Sequence, residues 1–253
     1  MSDFDRNVAA TRRGFGADQA LAIDAGLRAH MIRVYNYMAG AVALTGVVAW
    51  LTFQMAVTAS PSGALVLTPF GEAVFNGPLM WVLVLAPLGL VFYISFRIQS
   101  LQASTALGLF LLYAALLGMS LATIFLVYTH GSITRVFFIS AAAFGALSLY
   151  GYTTQRDLTA MGSFMIMGLF GIILASIVNL IWPSGPLQFA ISAVGVLVFA
   201  GLTAWDTQKI KEMYDPMDDG TIAGRKVVMG ALSLYLDFIN MFLMMLRLFG
   251  DRR

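Results

Sequence analysis

The chain contains no cysteine. Disulfides, thiol nucleophiles and cysteine-based metal centres are therefore excluded. Histidine occurs only at His30 and His130, too few and too far apart for the ligand set of a zinc hydrolase. Charge is scarce as well. Only 11% of the residues are charged, where a soluble domain carries about 25%. Lysine is confined to Lys209, Lys211 and Lys226. A retinal pigment needs a Schiff-base lysine in its last span, and none is there. The net charge of +2, with no basic run interleaved with aromatics, gives no footprint for nucleic acid.

What is present is apolar surface. Hydrophobic residues make up 59% of the 253 residues, more than a soluble chain of this length could hide from water. A helix crossing the hydrocarbon core needs about 20 mostly apolar residues. Seven stretches qualify: Val34–Thr58, Leu79–Phe96, Leu101–Tyr128, Val136–Tyr152, Met161–Ile181, Leu187–Asp206 and Val227–Leu246. Turn residues separate them at Ser60-Pro61-Ser62-Gly63, Thr129-His130-Gly131-Ser132 and Trp182-Pro183-Ser184-Gly185-Pro186. The expected fold class is all-α, a polytopic seven-transmembrane-helix bundle. Residues 1–33 form a polar leader whose Ala20–Arg33 stretch is weakly amphipathic and suits a membrane surface. Residues 34–250 form the transmembrane domain, and 251–253 a short tail. The leader does not match a cleaved signal peptide, because the first apolar run is too long.

Lys and Arg set orientation, because they accumulate on the cytoplasmic side. With the amino terminus inside, eleven of the 15 fall on cytoplasmic segments and four outside. The expected topology is amino terminus cytoplasmic and carboxyl terminus external. Trp81 and Trp182 then sit at the outer interface and Trp205 near the inner one.

The informative residues are acids. Of 13 Asp and Glu, only Asp206 and Asp237 fall inside the predicted spans. A carboxylate at the bilayer centre costs about 2.5–3.5 kcal/mol on insertion scales, so it persists where a partner or a function compensates. Ser233, Asp237 and Asn240 are spaced by four and three and share one helix face. Thr203 and Asp206 share a face of the preceding helix. Each of the last two helices thus carries a polar seam. The plainer alternative is that each Asp caps or ion-pairs a neighbouring helix. Arg97 ends the second span on the same side as Asp206, so an Arg97–Asp206 ion pair is geometrically reasonable. Arg97 can equally snorkel to lipid headgroups.

Three segments carry a family resemblance. The run ALSLYLDFINMFLMMLRLFG from Ala231 to Gly250 closely resembles the last helix of the Bax inhibitor-1 (transmembrane Bax inhibitor motif) family. FGALSLYGYTTQRDLTAMGSF from Phe144 to Phe164 and GLTAWDTQKIKEMY from Gly201 to Tyr214 resemble its prokaryotic branch. The likeness extends over roughly Leu79 to Gly250. It implies a seven-helix fold around a central last helix, in a prokaryotic inner membrane, acting as a pH-sensitive calcium leak. It also implies that Asp206 and Asp237 are a pH-sensing dyad able to hold calcium transiently, and that Arg97 is a latch exchanging partners with it. Some members carry a Glu about three turns before that arginine. Here Ala86-Pro87 occupies the region, which removes any second latch through that acid.

Elementary electrostatics gives such a dyad its own logic. Two adjacent carboxyls in a low-dielectric seam share one proton and titrate as a unit. Losing the proton leaves two like charges, relieved by a cation or by helix separation. Calcium prefers the oxygen ligands that carboxylates and carbonyls supply. A tension stands against this pairing: Asp206 ends its predicted span, about 28 Å along it, whereas Asp237 lies about 15 Å into its own. The two meet only if the sixth helix tilts or runs on towards Met213.

Rival readings are weaker. An intramembrane aspartyl protease also uses two helix aspartates, but Tyr235-Leu236-Asp237-Phe238 is not its GxGD signature. Asp215, Asp218, Asp219 and Gly220 superficially suggest an EF-hand loop, but Met217 and Lys226 stand where it needs oxygen ligands. Asp157 is expected to cap the fifth helix. The chain is therefore expected not to be an enzyme and to need no cofactor beyond transient calcium. Its expected partners are the lipid bilayer and cations. A scaffold or regulator of membrane protein quality control is the alternative function.

Overall fold

The computed structural model describes the backbone over residues 3–59 and 65–253, and side chains over 23–58 and 65–253. Seven helices are long and apolar enough to cross a membrane. They lie in α1 (Asp3–Ala56), α3 (Pro78–Arg97), α4 with its short continuation α5 (Ala103–Leu121 and Ile124–Val127), α6 (His130–Thr153), α7 (Thr159–Ile181), α8 (Gly185–Glu212) and α9 (Gly220–Phe249). Between α1 and α3 stand an antiparallel pair, β1 (Val57–Ala59) and β2 (Leu65–Leu67), and a short helix, α2 (Pro69–Phe75). The predicted Ser60–Gly63 turn lies outside the described residues.

The last helix is the core. In α9, 67% of the apolar stretch is buried, against 6% in α7. α9 packs on α1, α4, α6 and α8, while α3 packs on α4 and α7 on α8. Phe164, Phe170, Leu174 and Leu180 of α7 point outward without protein cover. In water such a surface would drive aggregation, and in lipid it is the solvent-facing side. The protein is a multi-pass membrane protein with seven spans.

Glycines let these helices approach closely. A Cβ at Gly151 of α6 would stand 2.1 Å from the Ala204 carbonyl oxygen of α8, and one at Gly118 of α4 would stand 2.7 Å from the Thr45 carbonyl oxygen of α1. Tyr235 of α9 ties three helices together. Its hydroxyl meets Thr45 Oγ1 at 2.6 Å, and its ring takes Phe110 and Tyr113 of α4 edge-on.

The two ends of the bundle are closed differently. At the leader end, Asp157 accepts the Thr159 amide at 2.8 Å. Hydrogen bonds from Thr159 hold this exposed carboxyl below its ordinary pKa. The acids resembling an EF-hand are structural: Asp219 caps α9 through the amides of Thr221 and Ile222, Asp215 accepts the Met217 amide, and Asp218 pairs with Lys226 at 2.5 Å. At the opposite end the tail does not project freely. Tyr128 pairs with Arg252, the Arg253 amide donates to the Val127 carbonyl, and the Asp251 amide donates to Ser132 Oγ.

Two expectations need correction. No separate surface helix covers Ala20–Arg33; the backbone runs unbroken from Asp3 to Ala56. Nothing between Ala20 and Val34 breaks a helix except Gly26, and that glycine admits the Tyr214 hydroxyl against α1. The sixth span also ends later than its apolar run. α8 continues to Glu212, because Lys209 and Lys211 of its last turn suit a helix carboxyl terminus.

Candidate functional site

The extra turn and a half of α8 removes the apparent depth mismatch between the two aspartates. A Cβ at Gly230 would touch the Ile210 side chain, and one at Gly195 would touch Met244, so α8 and α9 run antiparallel with Ile210 opposite Gly230. Asp206 is four residues deeper than Ile210, and Asp237 is seven deeper than Gly230. At 1.5 Å per residue the remaining offset is about 4.5 Å, within side-chain reach. The first turns of α9 simply rise beyond the end of α8.

At that level Asp206 and Asp237 face each other across the helix interface, near enough for their carboxyl groups to act on one another. Asp237 is only 4% exposed, and among the described residues no donor reaches its Oδ2. Asp237, on the central helix, is thus turned away from lipid, and Asp206 of α8 is half-buried beside it.

The flanking residues are placed as follows. Thr203 is fully buried and donates to the Phe199 carbonyl one turn back, and Asn240 donates likewise to Leu236. Ser233 is half-buried. Neither Thr203 nor Asn240 donates to the acids among the described residues. Arg97 is not brought to the pair. It is exposed at the end of α3, and the predicted ion pair with Asp206 is not formed among the described residues. The cation acting on Asp206 is Lys209, one turn along the same helix, whose ammonium lies 5.0 Å from the centre of the Trp205 ring. Arg97 is carried by α3, which packs chiefly on α4 and α2 and so stays outside the core.

Polar ties around the site escaped the sequence reading. Tyr35 of α1 meets Ser148 of α6 at 2.7 Å, and Ser148 meets Thr207 of α8 at 2.9 Å. Gln208 accepts the Leu158 amide and donates to the Arg156 carbonyl, binding α8 to the loop between α6 and α7. These two ties fix the turn that carries Asp206. His30 is buried against Tyr214, with Nε2 unpartnered among the described residues. Neutral polar residues inside spans are the signal that would have pointed to the first tie; nothing in the sequence marks His30.

Metal binding was tested on the donor set. Among the described residues, no group of three or more His, Cys, Asp or Glu side chains converges. Calcium takes six to eight oxygens, so two carboxyls do not make a resident site.

The comparisons agree with this architecture. The family described as "Inhibitor of apoptosis-promoting Bax1" matches residues 27–253. The inner membrane protein YbhL of Escherichia coli is 45% identical over 239 residues, covering 94% of this chain and 97% of its own length. An uncharacterized protein of Rickettsia prowazekii is 44% identical over 253 residues, the full length of both chains. An uncharacterized protein of Caulobacter vibrioides is 41% identical over 256 aligned residues, again the full length of both. With nearly all of the described bundle matched, the chain belongs to the Bax inhibitor-1 family.

Proposed function

We propose that the chain is a pH-sensitive calcium leak of the prokaryotic inner membrane, gated by the Asp206–Asp237 pair. The observation that carries this reading is that Asp206 of α8 and Asp237 of α9 face each other across the helix interface, with Asp237 buried on the central helix. With the shared proton in place, the pair holds α8 against α9. Without it, two negative charges face each other at low dielectric, and their repulsion favours either parting of the helices or entry of a cation. Calcium is the cargo, held briefly by carboxylate oxygens as it passes.

The test is calcium flux into liposomes containing the purified protein alone, across a range of pH. A leak passes calcium with no other protein present. Absence of flux at every pH, with the protein folded in the vesicle, would favour a scaffold or regulator of membrane protein quality control, which needs partners.

Arg97 stands apart from the pair, so a latch role would need α3 to move. Arg97→Ala is expected to leave flux at acid pH unchanged, since the proton-sharing arrangement does not use it. Raised flux at acid pH would show instead that Arg97 restrains the closed state.

Seven spans put the two termini on opposite faces, and the basic residues favour the leader end as cytoplasmic. A tag appended after Arg253 should therefore react with a membrane-impermeant reagent in intact spheroplasts. Labelling only after lysis would reverse the orientation.

A further inference from the structure

α1 and α6 are both packed on α9, but they do not pack along each other. They touch through Tyr35 and Ser148, and on the lipid side of that contact they part into a lateral crevice. Its volume is about 500 Å³, within the range of small-molecule sites. The α1 wall is Arg28, Met31, Ile32 and Tyr35, and Phe144, Gly145 and Leu149 stand on the α6 wall. Ile32 and Leu149 are exposed along it, so the lining is apolar and open to the bilayer.

The mouth of the crevice is cationic. Arg28 is exposed there and makes no ion pair among the described residues. Opposite it is Tyr152, whose carbonyl accepts the Lys211 ammonium at 2.9 Å, the same ammonium lying 5.4 Å from the centre of the tyrosine ring. Arg28 thus lines the slot itself, and Lys211 stands beside it, held against the lining residue Tyr152. Asp24, one turn further out on α1, is the carboxylate on the same helix face as Arg28. From Arg28 to Tyr35 the slot runs two helical turns, about 10 Å into the bundle.

We propose that this crevice is a binding site for one anionic glycerophospholipid, its phosphate at Arg28 and Lys211 and an acyl chain between α1 and α6. Charge complementarity selects this occupant. A neutral lipid fills the apolar slot equally well but brings no negative charge to Arg28 and Lys211 beyond that of Asp24 on α1. In the orientation proposed above, the mouth lies at the inner leaflet, where basic residues meet anionic headgroups. The site does not depend on the leak reading. Its floor, however, is the Tyr35–Ser148–Thr207 chain, so the lipid would rest on the tie that holds the Asp206 helix.

The test is native mass spectrometry of the delipidated full-length protein in mild detergent, titrated with phosphatidylglycerol or phosphatidylethanolamine at equal concentration. The expected result is a single phosphatidylglycerol adduct that survives activation which strips phosphatidylethanolamine. Arg28→Gln should weaken that adduct about five-fold, the share of one basic residue near a headgroup. Gly145→Leu fills the crevice, since a Cβ there meets nothing within 4 Å. It should abolish the retained adduct, and melting temperatures of both variants check that they are folded. Equal retention of the two lipids, wild-type retention in Arg28→Gln, or a selective adduct surviving in Gly145→Leu would each overturn the site.

Discussion

Asp237→Asn should abolish the pH dependence of calcium flux and hold the protein at the wild type's acid-pH rate. The sign follows from charge. Asparagine cannot ionise, so the pair never carries two negative charges, and at every pH it resembles the proton-sharing form. The ratio of alkaline to acid flux, whatever its wild-type value, should fall to about one, because the pair titrates as a unit. Asp206→Asn should do the same, and the double variant should add nothing further, as groups acting as one unit are not additive. A wild-type pH profile in either single variant would remove the pair from gating. Asn is close to Asp in size, so packing around Asp237, which is only 4% exposed, should survive the change.

How far the pair was legible in the sequence depends on what each residue type reveals. Helix-face spacing and the rarity of acids in the spans singled out Asp206 and Asp237, because burying a carboxylate is costly enough to stand out against an apolar background. Hydropathy misplaced the end of α8. An apolar window stops at the first charged residues, whereas the backbone continues while its hydrogen bonds are satisfied, here to Glu212. That error produced most of the depth mismatch, six residues at 1.5 Å each being about 9 Å. Arg97 shows the opposite failure. Position along the chain put it on the same side as Asp206, but sidedness says nothing about which helices are neighbours. α3 lies on the rim, and only the three-dimensional packing shows this. The hydroxyl tie through Tyr35, Ser148 and Thr207 is only faintly marked, for another reason. Neutral polar residues insert cheaply, so they carry little signal until their partners are seen.

A close helix approach provides the second large effect, and it tests whether α8 must be held in place for the aspartates to respond. Gly151 of α6 lies where a Cβ would stand 2.1 Å from the Ala204 carbonyl oxygen, two residues before Asp206. The obstructing atom is backbone, which cannot rotate away as a side chain can. Gly151→Ala must therefore push α6 and α8 apart by an ångström or more. Overpacking of this kind costs about 1–3 kcal/mol, and the melting temperature should fall by roughly 5–10 °C. Gly145→Ala on the same helix is the matched control. Its Cβ meets nothing within 4 Å, so the gain in helix propensity, about 0.5–1 kcal/mol, should leave the melting temperature unchanged or slightly raised. Displacing α8 also moves Asp206 relative to Asp237. In proteoliposomes at a temperature where the variant remains folded, Gly151→Ala should blunt the pH response while both acids are intact, and Gly145→Ala should keep it. Equal melting temperatures for the two alanines would mean that the α6–α8 contact yields freely. A full pH response in a destabilised Gly151→Ala would show that the pair tolerates that displacement.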